Sequence, residues 1–159
     1  MATLPQLVEE DIAAIEATLR ELLKQSEAAT ALIADKGGFL IAQQGNAADY
    51  DLTSIAALAS GSFMASQSIA GMIAENTFTT AYQQGESHSL FIQEVDEYCL
   101  LLVIFPASVG VGTVKYYASA AAPRIARQMQ IAQARDPSAG LDLSVLNCAE
   151  TSGFFKRRA

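Results

Sequence analysis

The sequence predicts a three-layer α/β/α sandwich in which helices cover both faces of an antiparallel sheet. Three observations carry that expectation. Helical and strand periodicities follow one another in the order helix, two strands, helix, three strands, helix. Short turns join neighbouring strands, which favours hairpin pairing over parallel crossovers. The run "YCLLLVIF" is apolar at every position, as a central strand buried on both faces requires.

The first helix rests on Val8, Ile12, Ile15, Leu19, Leu22 and Leu23, which fall on one stripe. Glu9, Glu10 and Asp11 near its start, with Arg20 and Lys24 near its end, suit the helix dipole. Strands are expected near 30–35 and 39–44, with Gly37 and Gly38 supplying the positive φ angles of a tight hairpin. Asp51 is placed to cap a helix over 52–74 by accepting the backbone N–H of Thr53 or Ser54. "TFTTAYQ", "SLFIQEV" and "YCLLLVIF" follow as three strands, turning at Gly85 and at the Asp96–Glu97 pair, with Leu90, Ile92 and Glu94 sharing one direction. A last helical stripe runs through Val111, Val114, Ala118, Ala121, Ile125, Met129 and Ala132. Pro123 interrupts it, so one kinked helix and two abutting helices both fit. Residues 5–135 are expected to form the domain and 136–159 a tail, flexible or forming a short helix from "LDLSVLNCAE".

The second helix is unusual. It carries no charge from Leu52 to Ala74 and consists mostly of Ala, Gly and Ser. On a helical wheel Ile55, Leu58, Ser62, Ala65, Ile69 and Met72, with Ile73 beside them, form the stripe expected to cover the sheet. Ser54, Ala57, Gly61, Met64, Ser68 and Gly71 form a second stripe, small and uncharged where a solvated face would hold Lys and Glu. Small residues at this spacing admit a second helix at close range. A partner is expected there, and a second copy of the chain is the simplest one.

Composition narrows the functional class. The chain has 159 residues, is 51% hydrophobic and carries a net charge of −7, enough for one well-filled core. It lacks the basic face that nucleic acid needs. The N-terminal sequence reads as neither a signal nor a transit peptide, and the serines, threonine and glutamine of the second helix argue against stable membrane insertion. A cytoplasmic protein is expected. Cys99 reads as a buried apolar residue, and with Cys148 as the only other cysteine no disulfide framework arises. His88 is the sole histidine, so metal sites and Ser-His-Asp triads have little to draw on. Glu94, Asp96 and Glu97 read as solvated turn charges, and "GVG" at 110–112 is neither a P-loop nor a dinucleotide fingerprint. No catalytic residue, metal or cofactor is expected.

The pieces "ADKGGFLIAQQG", "YDLTSIAALASGSFMAS", "IAENTFTTAYQQGESHSLFIQEVDEYCLLLVIF" and "SVGVGTVKYYA", in that order and spacing, resemble the Roadblock/dynein light chain superfamily. The bacterial MglB type is the branch most similar, over roughly residues 5–134. The resemblance implies a homodimer in which second helices pack together and third strands pair, extending a five-stranded, mainly antiparallel sheet across the two-fold axis. On that basis Phe78, Thr80 and Tyr82 mark the dimer edge strand. It also implies a regulator, not itself an enzyme, that binds a Ras-like small GTPase of the MglA type. Such regulators stimulate GTP hydrolysis without an arginine finger, in bacterial cell polarity and gliding motility, which makes a polar location an option. Carried over by position, the GTPase or dimer contacts are Ser54, Ala57, Gly61, Met64, Ser68 and Gly71, with Met64 the best single anchor. Two other readings are a dimeric scaffold that leaves GTPase rates unchanged and a small-molecule sensor module.

Overall fold

The computed structural model describes residues 4–135. The expected tail and Cys148 lie outside the described residues. The elements are α1 (Glu9–Ser26), β1 (Thr30–Asp35), β2 (Leu40–Gly45), α2 (Leu52–Met72), β3 (Thr80–Gln84), β4 (His88–Glu94), β5 (Cys99–Pro106) and α3 (Val111–Ala134). The strands form one sheet of order β2-β1-β5-β4-β3, antiparallel at every pairing. β5 is central, which accounts for its unbroken apolar run. Cys99, Leu101, Val103 and Phe105 enter one core with α1 and α3, while Leu100, Leu102 and Ile104 enter a second core with α2. Leu90 and Ile92 of β4 join the α2 side, as their alternation predicts.

Two glycines answer to geometry. Gly38, at φ +100°, turns the β1–β2 hairpin and rests on α2, where a Cβ would stand 3.1 Å from the Ala57 Cα. Gly37 does not have positive φ, so the hairpin needs only one of the two expected left-handed residues. The Asp35 carboxylate completes the turn by accepting the Phe39 N–H at 2.8 Å. Gly45, at φ +103°, ends β2 so close to the chain that a Cβ would lie 2.3 Å from the Ala29 carbonyl oxygen.

α3 is a single helix with Pro123 inside it. Pro123 and Ser119 are both exposed. The Ser119 carbonyl has no proline N–H to accept, and the break falls on the exposed face of the helix, where a proline costs least. α1 also differs from its expected stripe. Val8, Ile12 and Leu23 are half-buried, and the fully buried position near the start belongs to Asp11.

The burial of Asp11 has a clear cause. Its carboxylate accepts the Val8 N–H at 2.9 Å, the Gln128 side-chain N–H at 2.7 Å, and the Arg135 guanidinium at 2.7 and 3.0 Å. One buried acid thus ties the start of α1 to the end of α3. Hydrogen bonds from Arg135, with smaller help from Val8 and Gln128, hold the carboxyl far below the usual range against the opposing effect of burial. Asp11→Ala should cost about 2 kcal/mol, because it leaves three half-buried donors without their acceptor. A folded-state pKa below the unfolded value means the stabilisation is complete above about pH 4 and is lost as pH falls toward the folded value. Urea denaturation of native and Asp11→Ala protein should therefore give curves that are well separated at neutral pH and converge in acid. Equal separation at both pH values would disprove the linkage.

Candidate functional site

α2 begins at Asp51, whose carboxylate accepts the Ser54 N–H at 3.1 Å and the Ser54 hydroxyl at 2.6 Å. These bonds lower the Asp51 pKa. The helix then crosses the sheet closest to β1 and β2. Its buried face consists of Leu52, Ala56, Ala59, Ser60, Phe63 and Ala70. Alanines bring the backbone close to the strands, Phe63 fills the remaining space, and the buried Ser60 hydroxyl donates to the Asp35 carbonyl at 3.2 Å.

This overturns the expected orientation of α2. Of the stripe expected on the sheet, Leu58 is 75% exposed, Ile69 53% and Met72 83%. Ser62 and Ala65 are also exposed, Ile73 is exposed beside them, and Ile55 is only half-buried. The wheel assigned the face with the larger side chains to the sheet. Close helix–sheet approach selected instead the face where alanines and a serine surround Phe63.

The second stripe lies where it was expected. Ser54, Ala57, Gly61, Met64, Ser68 and Gly71 are all exposed. A Cβ placed on Gly61 or Gly71 would meet nothing within 4 Å, so no contact among the described residues requires glycine there. Together the two stripes make the whole outer surface of α2 uncharged, with Leu58, Met64, Ile69, Met72 and Ile73 uncovered. A surface of this kind is a candidate contact for another macromolecule.

The free edge of β3 lies beside this surface. β3 pairs with β4 on one side and has no described neighbour on the other. Thr80 and Tyr82 lie in this strand, whereas Phe78 precedes it. The Tyr82 ring turns to the α1/α3 side and stacks on Phe105, with centroids 6.2 Å apart. Because α2 lies over β1 and β2, an open groove remains between it and the edge strand. Ile55, Leu58, Ala59 and Ser62 line one wall, with Gln83 and Leu90 opposite, enclosing about 300 Å³. It continues past Tyr50, Gln84 and His88 as a space of about 440 Å³.

Charged and nucleophilic groups are occupied elsewhere. His88 is exposed and meets Tyr50 edge-to-face at 6.3 Å. Glu94 pairs with Lys36, and Asp96 accepts the N–H groups of Tyr98 (2.8 Å) and Cys99 (2.9 Å). Only Glu97 of that acidic trio is the exposed turn charge the sequence suggested. Burial pushes the Cys99 thiol well above the usual range, with nearby Asp96 adding to the effect, so it stays protonated. Among the described residues, no helix is long and apolar enough to cross a membrane.

Sequence reasoning missed Phe63, the Asp11–Arg135 tie and Gln67. The Gln67 side chain reaches from α2 to the segment before β3. Its carbonyl accepts the Phe78 N–H (3.0 Å) and the Thr77 hydroxyl (2.7 Å), and its amide donates to the Phe78 carbonyl (2.7 Å). A signal was present, since Gln67 is the one long polar side chain between Leu52 and Ala74.

The sequence matches the description of the Roadblock/LC7 domain over residues 14–105. The chain belongs to the Roadblock/LC7 family. Its fold is the Roadblock fold, with three helices and a five-stranded antiparallel sheet. Among solved structures, an MglB described with a tetrameric arrangement is 27% identical, covers 83% of this chain and 99% of its own, and superposes with a TM-score of 0.77. The gliding protein MglB from Thermus thermophilus is 26% identical, with coverages of 82% and 99% and a TM-score of 0.75. Myxococcus xanthus MglB is 29% identical, with coverages of 74% and 95% and a TM-score of 0.70. No curated protein matches the sequence. In this Roadblock domain the uncharged surface of α2 and the edge of β3 adjoin on one side of the molecule.

Proposed function

We propose that this protein is a homodimeric regulator that binds a Ras-like small GTPase of the MglA type and stimulates its GTP hydrolysis. The uncharged, uncovered outer surface of α2 carries the reading, and similarity to MglB structures supports it. Two copies bury part of that surface by packing their second helices and pairing β3 edge to edge, which removes an open strand edge from solvent. The GTPase takes the part that remains. The placement of the arginines among the described residues supports a mechanism without an arginine finger. Arg20, Arg124, Arg127 and Arg135 belong to α1, α3 and the residue after it, on the side of the sheet opposite α2. On the α2 side the regulator can act by holding the GTPase switch segments in the hydrolytic arrangement. Such a protein performs no chemistry of its own and would work in the cytoplasm, at the pole where a polarity GTPase acts.

The test is single-turnover GTP hydrolysis by the MglA-type GTPase of the same genome, with and without this protein. Acceleration is expected, and Met64→Arg should abolish it in a protein that remains folded. A stable GTP-dependent complex without acceleration would make the protein an adaptor and overturn the regulatory half of the proposal. Absence of any complex would overturn the GTPase reading altogether.

A further inference from the structure

Gln67 lies on neither of the stripes assigned to partners, yet its amide is spent entirely on the two residues that lead into the edge strand. Satisfying both the N–H and the C=O of Phe78 is what a neighbouring β-strand would otherwise do. The ladder with β4 shows which way these groups point. Glu94 donates to the Thr79 carbonyl at 2.9 Å, so Thr79 faces β4. By the alternation of an antiparallel strand, Thr80, Tyr82 and Gln84 direct their backbone groups to the free edge, and the same alternation carried two residues back would add Phe78. Of these, Phe78 is already occupied by Gln67.

We propose that Gln67 is a positioning residue that sets the register of β3–β3 pairing between two copies of the chain. This rests on the homodimer reading above. With Phe78 withdrawn, the free edge consists of Thr80, Tyr82 and Gln84. Its fullest two-fold pairing places Tyr82 opposite the partner's Tyr82 and Thr80 opposite the partner's Gln84. With Phe78 released, a longer ladder becomes available. Phe78 then faces the partner's Gln84 and Thr80 faces the partner's Tyr82, with the two-fold axis at Ala81. That slip of two residues keeps every side chain on its own face, so burial alone cannot oppose it. The Gln67 amide opposes it by removing the pairing groups of Phe78 from the edge.

Disulfide trapping reads the register directly. In a Cys148→Ser background, Tyr82→Cys and Ala81→Cys are each oxidised in the full-length protein, and the buried Cys99 thiol stays out of reach of the partner. With Gln67 present, Tyr82→Cys should cross-link to its own copy and Ala81→Cys should remain at background. With Gln67→Met, which keeps the side-chain length and helix propensity, the pattern should invert so that Ala81→Cys becomes the main cross-linked species. Gln67→Glu keeps the acceptor and loses the donor to the Phe78 carbonyl, and should shift the pattern the same way in part. A cross-linking pattern identical in all three backgrounds would overturn the role of Gln67. A native protein that sediments as a monomer would instead overturn the homodimer reading, and with it this proposal.

Discussion

Gly61→Arg should leave the protomer folded, and no less stable, while abolishing its contacts through α2. Both halves follow from the same position. Gly61 lies on the exposed face of the helix with nothing within 4 Å of its would-be Cβ. Replacing glycine there by a good helix former should add up to about 1 kcal/mol to protomer stability. At an interface the outcome reverses. A twin helix or a GTPase seated on this uncharged stripe would have to bury a guanidinium without a partner, at a cost of about 3 kcal/mol or more. That corresponds to affinity weakened by about a hundredfold. Sedimentation and GTPase pull-down, run beside thermal melting, separate the two effects. A Gly61→Arg protein that self-associates and binds the GTPase as the native protein does would show that the small stripe of α2 faces solvent in the working molecule.

Phe63→Ala should be the most damaging single truncation in α2, at about 3–5 kcal/mol. Phe63 is 1% exposed and sits among Leu32, Leu100 and Leu102, where β1 and β5 meet the helix. The surrounding alanines cannot move inward to refill the volume, because they already hold the backbone close to the sheet. Leu58→Ala, by contrast, should cost less than about 1 kcal/mol, since that side chain is largely in water. The pair is best compared in the Gly61→Arg background, where self-association cannot mask a loss at Leu58. Equal costs for the two would mean that α2 packs on the sheet through the other stripe.

Arg135 is tied to the folded part of the chain in a way that composition does not show. The change in character at "DPSAG" suggested an end near 135, but the sequence offered no reason for an arginine just before it. The structure supplies one in its double bond to Asp11. Those residues stand 124 positions apart, and no local pattern links them. The Gln67–Phe78 clamp is closer in sequence, but it is hidden for a similar reason. A lone glutamine in a small-residue helix announces that it is different without naming its partner.

Element order, strand faces and the central place of "YCLLLVIF" were legible from the sequence by itself. They are written in local signals, namely a period of two, turn residues between short runs, and apolar residues on both faces of one strand. The uncharged character of α2, and with it the expectation of a partner, was equally plain. The rotation of α2 about its own axis was decided only in the tertiary structure. Large apolar side chains occur all around that helix, at Leu58, Phe63, Met64, Ile69 and Met72, so its amphipathic signal has no clear direction. The face that docks is the one whose alanines let the helix come close to the sheet, and that depends on the shape of the opposing surface, which no single helix encodes.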